Sequence, residues 1–158
     1  MAELYNMAGH LIRRLNQISV ALFMERLSAA GLNLTPVQFA ALSAVAENPG
    51  IDQATVAGMI AYDRATLGKV IDRLDSRGLV SRRVSPHDRR ARELTLTKAG
   101  KDLLQTARPH VLELQPEILA GLDDGERETL MQLLKKAAMA GNELSRAPLI
   151  TPQTKNGD

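Results

Sequence analysis

The stretch "RRVSPHDRRARELTLT", residues 82–97, sets five arginines around a Ser-Pro-His-Asp turn and then changes to alternating leucine and threonine. Guanidinium groups at this density meet anions with paired N–H donors, and phosphate and carboxylate oxygens suit them best. The concentration is local: between Tyr62 and Arg92 nine basic residues stand against four acidic ones, so this segment carries +5 in a chain of formal charge +2. A basic patch on a nearly neutral chain points to a polyanion docking at one place. The plain alternative for any single arginine is a solvated surface cation.

A second polar group lies near the amino-terminus, where His10, Arg14 and Gln17 run as a stripe along the margin of an apolar helix face. A cation and hydrogen-bonding groups beside apolar walls suit a flat carboxylate. Equally, Arg14 can pair with an acidic residue at a rim and His10 can simply face water. Arg108 and His110, flanking Pro109, are weaker candidates for the same crevice. Other chemistry is poorly provided for. The three histidines show no metal-ligand spacing, no glycine-rich phosphate loop is present, and no nucleophile–base pair stands out, so no catalytic residue, metal or cofactor is expected. With no cysteine, thiol chemistry and disulfides are excluded. Aromatic residues are only 3% and none lies in the basic hairpin, which disfavours single-strand binding by base stacking.

The elements that must carry these groups are mostly helical. Leu4 to Ala30 reads as one helix ended by Gly31, with two apolar stripes: Leu4, Met7, Leu11, Leu15, Ile18 and Leu22 on one side, Tyr5, Ile12, Phe23 and Leu27 on the other. Two stripes need two partners. "TPVQ" opens a second helix through a capping box with Thr35, Pro36 and Gln38, ending near "ENPG". A short helix spans about Asp52 to Ile60, and "YDRATLGKVIDRLDSRG" forms another between the cap Asp63 and the stop Gly78, which together resemble a helix-turn-helix. In the second of these, Leu67, Val70, Ile71 and Leu74 define the buried face and leave Ala65, Lys69, Arg73 and Ser76 opposite. "LVSRRV" and "ELTLT" are strands around the turn "SPHDRRAR". Pro109 and Pro116 are expected to kink or break the following helical stretch, and a last amphipathic helix starts at Asp123 with Glu126 closing its box. "APLITPQTKNGD" reads as a mobile tail. No apolar run approaches the ~20 residues that span a bilayer, so a cytoplasmic chain is expected.

"LTPVQFAAL", "DRATLGKVIDRLDSRGLVSR" and "DRRARELTLTKAG", in this order and spacing, resemble the MarR family (multiple antibiotic resistance regulators) over roughly residues 4–145. The resemblance implies a mainly α fold with a small β-hairpin wing: a winged helix-turn-helix domain over 34–97, a helical dimerisation region from both termini over 1–33 and 98–146, and a flexible tail over 147–158. It implies a homodimer on a pseudo-palindromic double-stranded DNA operator, acting as a repressor released by a small-molecule effector. Aromatic or heteroaromatic carboxylates, nicotinate-type compounds among them, fit that effector. A winged-helix module that binds protein rather than DNA is the competing reading.

Carried over residue by residue, the resemblance sets Arg64, Ala65, Thr66, Gly68 and Lys69 at base-facing or phosphate-facing positions of the recognition helix, with Arg73 further along it. Relatives more often carry hydroxyls where this chain has Ala65 and Gly68, so Ala65 would meet a thymine methyl and Gly68 would permit close backbone approach or be neutral. In the wing, Asp88 would orient the turn through hydrogen bonds or an ion pair, and Arg90 would enter the minor groove, whose negative potential favours a guanidinium. Arg82, Arg83, Arg89 and Arg92 would touch phosphates.

Overall fold

The computed structural model describes residues 1–151. A 3₁₀ turn, Leu4–Asn6, precedes six helices and three short strands in the order α1 (Ala8–Ala29), α2 (Pro36–Glu47), β1 (Ile51–Asp52), α3 (Gln53–Met59), α4 (Arg64–Ser76), β2 (Val80–Val84), β3 (Arg92–Leu96), α5 (Lys98–Ile118) and α6 (Asp124–Ala140), with a second 3₁₀ turn at Asn142–Leu144. The first helix thus begins later than its apolar pattern suggests. Met7 is extended at φ −79° and ψ 128°, and the Asn6 side-chain amide donates to the Ala2 carbonyl, a local bond that competes with the helical ladder.

Helix ends follow the capping chemistry. Thr35 and Asp123 both form complete capping boxes, and Asp52, Asp63 and Thr97 each accept a backbone N–H three residues on. Gly31 and Gly78, at φ +71° and +70°, end α1 and α4 in the left-handed region, where the lack of a side chain makes the reversal cheap. The turn between α3 and α4 makes the same reversal with Ala61 at φ 52°, a strained choice for a residue carrying a Cβ.

β3 is the centre of an antiparallel sheet of order β1-β3-β2, in which Arg83 faces Glu93 and Arg82 faces Leu94. β1 pairs Ile51 with Leu94, and its two residues are too few to show the alternation by which a strand is read from sequence. The core joins Phe23 and Leu27 of α1, Leu42 and Val45 of α2, Val56 of α3, Leu67, Ile71 and Leu74 of α4, Leu94 of β3 and Leu104, Val111 and Leu114 of α5.

α5 runs unbroken through Pro109 and Pro116, against the expected break. Each proline deprives a carbonyl of its partner four residues earlier, at Gln105 and at Leu112. Both of those residues are exposed, so the freed carbonyls reach water, while Leu104, Ala107, Val111 and Leu114 hold the other side of the helix in the core.

Only the carboxy-terminal half of α1 enters that core. Met7, Leu11, Ile12 and Ile18 remain exposed, and α6 buries no residue at all. Between α1, the end of α5 and α6 lies an apolar crevice of about 680 Å³, with Ile12, Leu15, Met131 and Leu134 among its walls. The carboxy-terminal stretch, expected to be a free tail from residue 147, is tied down as far as Ile150: the Ile150 N–H donates to the Gly58 carbonyl at 2.9 Å, because the apolar run Pro148–Leu149–Ile150 has α3 to pack on. The rest of that tail, 152–158, lies outside the described residues.

The wing is fastened to the helices at one backbone junction. Leu79 O accepts the Thr97 N–H at 3.1 Å, the Thr97 hydroxyl donates to Gly78 O at 2.6 Å, and Gly100 presses directly on the Leu79 carbonyl. A Cβ at Gly100 would collide with that oxygen, and backbone on both sides leaves little room to give. Gly100→Ala is therefore expected to destabilise the fold by about 1–3 kcal/mol despite its better helix propensity, as read from urea unfolding.

Candidate nucleic-acid interface

At the start of α4, Asp63 accepts the Thr66 backbone N–H at 3.0 Å and the Thr66 hydroxyl proton at 2.9 Å. These bonds, the backbone one first and aided by the nearby charge of Arg146, hold the Asp63 carboxyl below the usual carboxylate range. Arg64, Ala65, Thr66, Lys69 and Arg73 are exposed: Ala65, Lys69 and Arg73 lie opposite Leu67, Ile71 and Leu74, whereas Arg64, on their side of the helix, reaches solvent because it stands at the first position of α4. Gly68 is half-buried, and a Cβ there would lie 3.5 Å from the Gln53 side-chain nitrogen of α3. A side chain would therefore fit at 68 at ordinary contact distance, so the packing of α3 against α4 does not itself require a glycine there.

The wing turn is built from its own side chains. The nearly buried Ser85 hydroxyl accepts N–H bonds from His87 and Asp88 at 3.2 and 3.4 Å, and Asp88 Oδ1 accepts the Arg90 N–H at 2.9 Å. Asp88 thus orients the turn by a hydrogen bond to backbone, the first of the two ways open from sequence. Arg89 and Arg90 are exposed with no ion-pair partner among the described residues, and Arg92 donates to the Arg89 carbonyl at 3.3 Å.

Two other arginines are engaged. Arg83 pairs across the strands with Glu93 at 2.8 Å while its side chain stays 73% exposed. Arg82, expected at a phosphate, instead reaches back to α4, meeting Asp72 at 2.7 Å and Asp75 at 3.0 Å. Burial works to lower the pKa of Arg82, but the hydrogen bonds and charges of Asp75 and Asp72 outweigh it and hold the guanidinium more firmly protonated. It points away from solvent because both carboxylates lie one helical turn apart on the face of α4 that meets β2.

The fold brings Arg64 of α4 together with Asp88, Arg90 and Arg92 of the wing on a groove of about 690 Å³, completed by Gln53 and Glu93. Ala65, Lys69 and Arg73 lie on α4 outside it. Gln53 is not legible from the sequence because it is reached only when α3 turns its first residue toward the wing. Ser85 is legible in principle as a Ser-Pro turn former. Among the described residues there is no cluster of metal-ligating side chains and no helix long and apolar enough to cross a membrane.

The amino-terminal stripe is only partly assembled. His10 and Gln17 are joined by Arg13, whose guanidinium donates to His10 Nδ1 at 3.2 Å and to Gln17 Oε1 at 3.3 Å. Arg14 is exposed with no hydrogen-bond or ion-pair partner among the described residues, and none of His10, Arg14 and Gln17 lines the apolar crevice. His10 packs edge-on against Tyr5 with ring centres 5.8 Å apart, and its Nε2 is buried without a partner.

A helix-turn-helix whose second helix shares a cationic groove with an arginine-tipped hairpin is a winged helix-turn-helix, the architecture of a transcriptional regulator. Residues 32–91 match the model of the MarR family. The transcriptional regulator HosA of Escherichia coli O111:H- is 35% identical over 133 residues, covering 84% of this chain and 96% of HosA. Among solved structures, the transcriptional repressor CouR bound to a 23-mer DNA duplex superposes with a TM-score of 0.78 at 31% identity, over 87% of this chain and 96% of CouR. BpsR of Bordetella bronchiseptica, whose structure concerns regulation of DNA binding by 6-hydroxynicotinic acid, gives 0.77 at 32% identity, over 84% and 94%. The chain belongs to the MarR family, and it is a transcriptional regulator rather than an enzyme.

Because the folded pKa of Asp63 is lowered, its capping contribution is fully present above the unfolded value and declines as pH falls through the folded one. Asp63→Ala should be less stable than wild type at neutral pH, and the gap between their melting temperatures should shrink as pH falls to about 3. A gap unchanged over that range would show that the Asp63 carboxylate does not stabilise the helix.

Proposed function

We propose that the chain acts in the cytoplasm as a homodimeric repressor that reads a pseudo-palindromic DNA operator and lets go when an aromatic or heteroaromatic carboxylate binds. The observation that carries the DNA reading is the groove in which Arg64 and the wing arginines Arg90 and Arg92 face one another. The major groove of B-DNA, about 12 Å wide, admits one helix, and α4 enters with its amino-terminal end leading. Arg64, Ala65, Thr66, Gly68 and Lys69 then lie nearest the bases or phosphates. Arg90 enters the adjoining minor groove, and Arg73, Arg83, Arg89 and Arg92 neutralise phosphates, with Asp88 holding the turn. CouR, similar over 87% of this chain, is known bound to a DNA duplex.

The uncovered apolar faces support the dimer. Met7 just before α1, Leu11 and Ile18 on α1, Leu112 on α5 and Leu133 and Met139 on α6 are exposed in the single chain, more than a lone soluble chain leaves unpaired. Residues 1–33 and 98–146 form the dimerisation region, residues 34–97 the DNA-reading domain, and the partner's helices fill the crevice between α1, α5 and α6. A winged module that binds only protein has no general need for arginines held free at a wing tip.

For the effector, Arg14 is the favoured anchor. Arg127 beside the crevice is already occupied by the Leu119 carbonyl at 3.2 Å and by Asp124 at 3.5 Å, and Arg26 is held by Glu113 and Glu117. Arg14 is open, it borders the exposed stripe that the partner covers, and His10 and Gln17 stand on the same face with an unsatisfied ring nitrogen in reserve. BpsR responds to a heteroaromatic acid of this class.

Arg90→Ala should weaken binding to the intergenic operator by at least tenfold, as measured by fluorescence anisotropy, with the dimer intact by sizing. Binding by wild type should fall steeply with salt as counterions are released. Unchanged affinity in the variant would refute the wing assignment. Arg14→Ala should keep operator affinity yet lose release by 6-hydroxynicotinate or a related aromatic acid. A variant released as readily as wild type would take the anchor away from Arg14.

A further inference from the structure

The carboxy-terminal segment is folded by two local devices and fastened to α3 by a third. The Asn142 side chain clasps the Leu149 backbone on both sides, donating to its carbonyl at 3.0 Å and accepting its N–H at 2.8 Å. Ser145 Oγ accepts the Ala147 N–H at 3.1 Å, which turns the chain. The Ile150 N–H then donates at 2.9 Å to the carbonyl of Gly58 in α3, and the Ile150 side chain covers Gly58, whose missing side chain leaves room for it.

The residue presented by this loop is Arg146. It is exposed, it has no ion-pair partner within 4 Å among the described residues, and it lines one concavity together with Tyr62, Asp63 and Arg64. That concavity lies at the amino-terminal end of α4 and is separate from the wing groove, with Arg64 lining both. The end of α4 carries a problem of charge: its cap, Asp63, is an anion at the very point that must approach a polyanion. A guanidinium alongside offsets that anion and extends the basic surface past it.

We propose that Ser145–Ile150 is a third DNA-contacting element beside the recognition helix and the wing, in which Arg146 takes a backbone phosphate next to the amino-terminal end of α4. This rests on the DNA-binding function proposed above. A single guanidinium on a phosphate, with no base edge in reach, contributes affinity and register rather than sequence choice. The segment lies outside residues 34–97, so the operator footprint gains a phosphate held by the end of the dimerisation region.

The test compares full-length wild type, Arg146→Ala and Arg146→Lys by anisotropy on the operator and on a duplex with altered half-site bases, from about 50 to 300 mM salt. Arg146→Ala should weaken both duplexes by the same factor, roughly three- to tenfold. It should lower the slope of log affinity against log salt by about 0.9 for each phosphate no longer neutralised, or about 2 for a dimer. Arg146→Lys should restore most of the slope. Equal melting temperatures would show that the fold is intact. An Arg146→Ala slope and affinity equal to wild type would overturn the inference while leaving DNA binding standing. A wild type that binds no duplex would overturn both.

Discussion

A helix and a hairpin can address neighbouring grooves of one duplex only if their separation is fixed, and the contact that fixes it is the guanidinium of Arg82 between Asp72 and Asp75. Neither carboxylate pair would contribute much alone in open solvent. Here one planar group spans two carboxylates a helical turn apart, with its side chain only 30% exposed, so β2 and α4 move as one body. The junction at Leu79 performs the same task at the base of the wing, where Thr97 and Gly100 bring α5 against the strand that follows α4. An arginine of the basic run thus serves rigidity, while Arg89 and Arg90 stay exposed at the tip with no ion-pair partner among the described residues.

The other half of the molecule follows the opposite rule. α6 buries nothing and the first half of α1 leaves its apolar residues bare, while Arg26 ties the covered end of α1 to Glu113 and Glu117 of α5. Burial of apolar surface is the main favourable term in association, so these faces are where a second chain adds most. The same uncovered margin carries Arg14 and His10. A small molecule bound there would sit at the boundary between the part of the fold that is complete in one chain and the part that is not.

Much of this was legible in the residues. Capping chemistry located the starts of α2, α4 and α6, because a Thr or Asp side chain satisfying a backbone N–H three residues on is a purely local event. The buried face of α4 followed from the spacing of Leu67, Ile71 and Leu74. The strands of the hairpin followed from the β-branched "LVSRRV" and the alternating "ELTLT", and family likeness identified that hairpin as a wing. The two-residue strand β1 was invisible, since pairing with Leu94 comes from the third dimension and two residues carry no pattern. The prolines of α5 misled for a related reason: their local cost is real, yet four buried side chains on the opposite face outweigh it.

Composition and spacing therefore determined which residues could serve: a cluster of arginines around a Ser-Pro-His-Asp turn, a capped helix with a small basic face, and a polar stripe on the first helix. Tertiary structure decided which of them are at liberty to do so. Arg82 is taken by α4, Arg13 rather than Arg14 joins His10 to Gln17, and the turn leading into the stretch read as a loose end carries Arg146 to the tip of α4. The reason is that a charged side chain's type is local, whereas its nearest counter-charge is set by how distant segments pack, and only the unpaired cation has its donors left for a ligand.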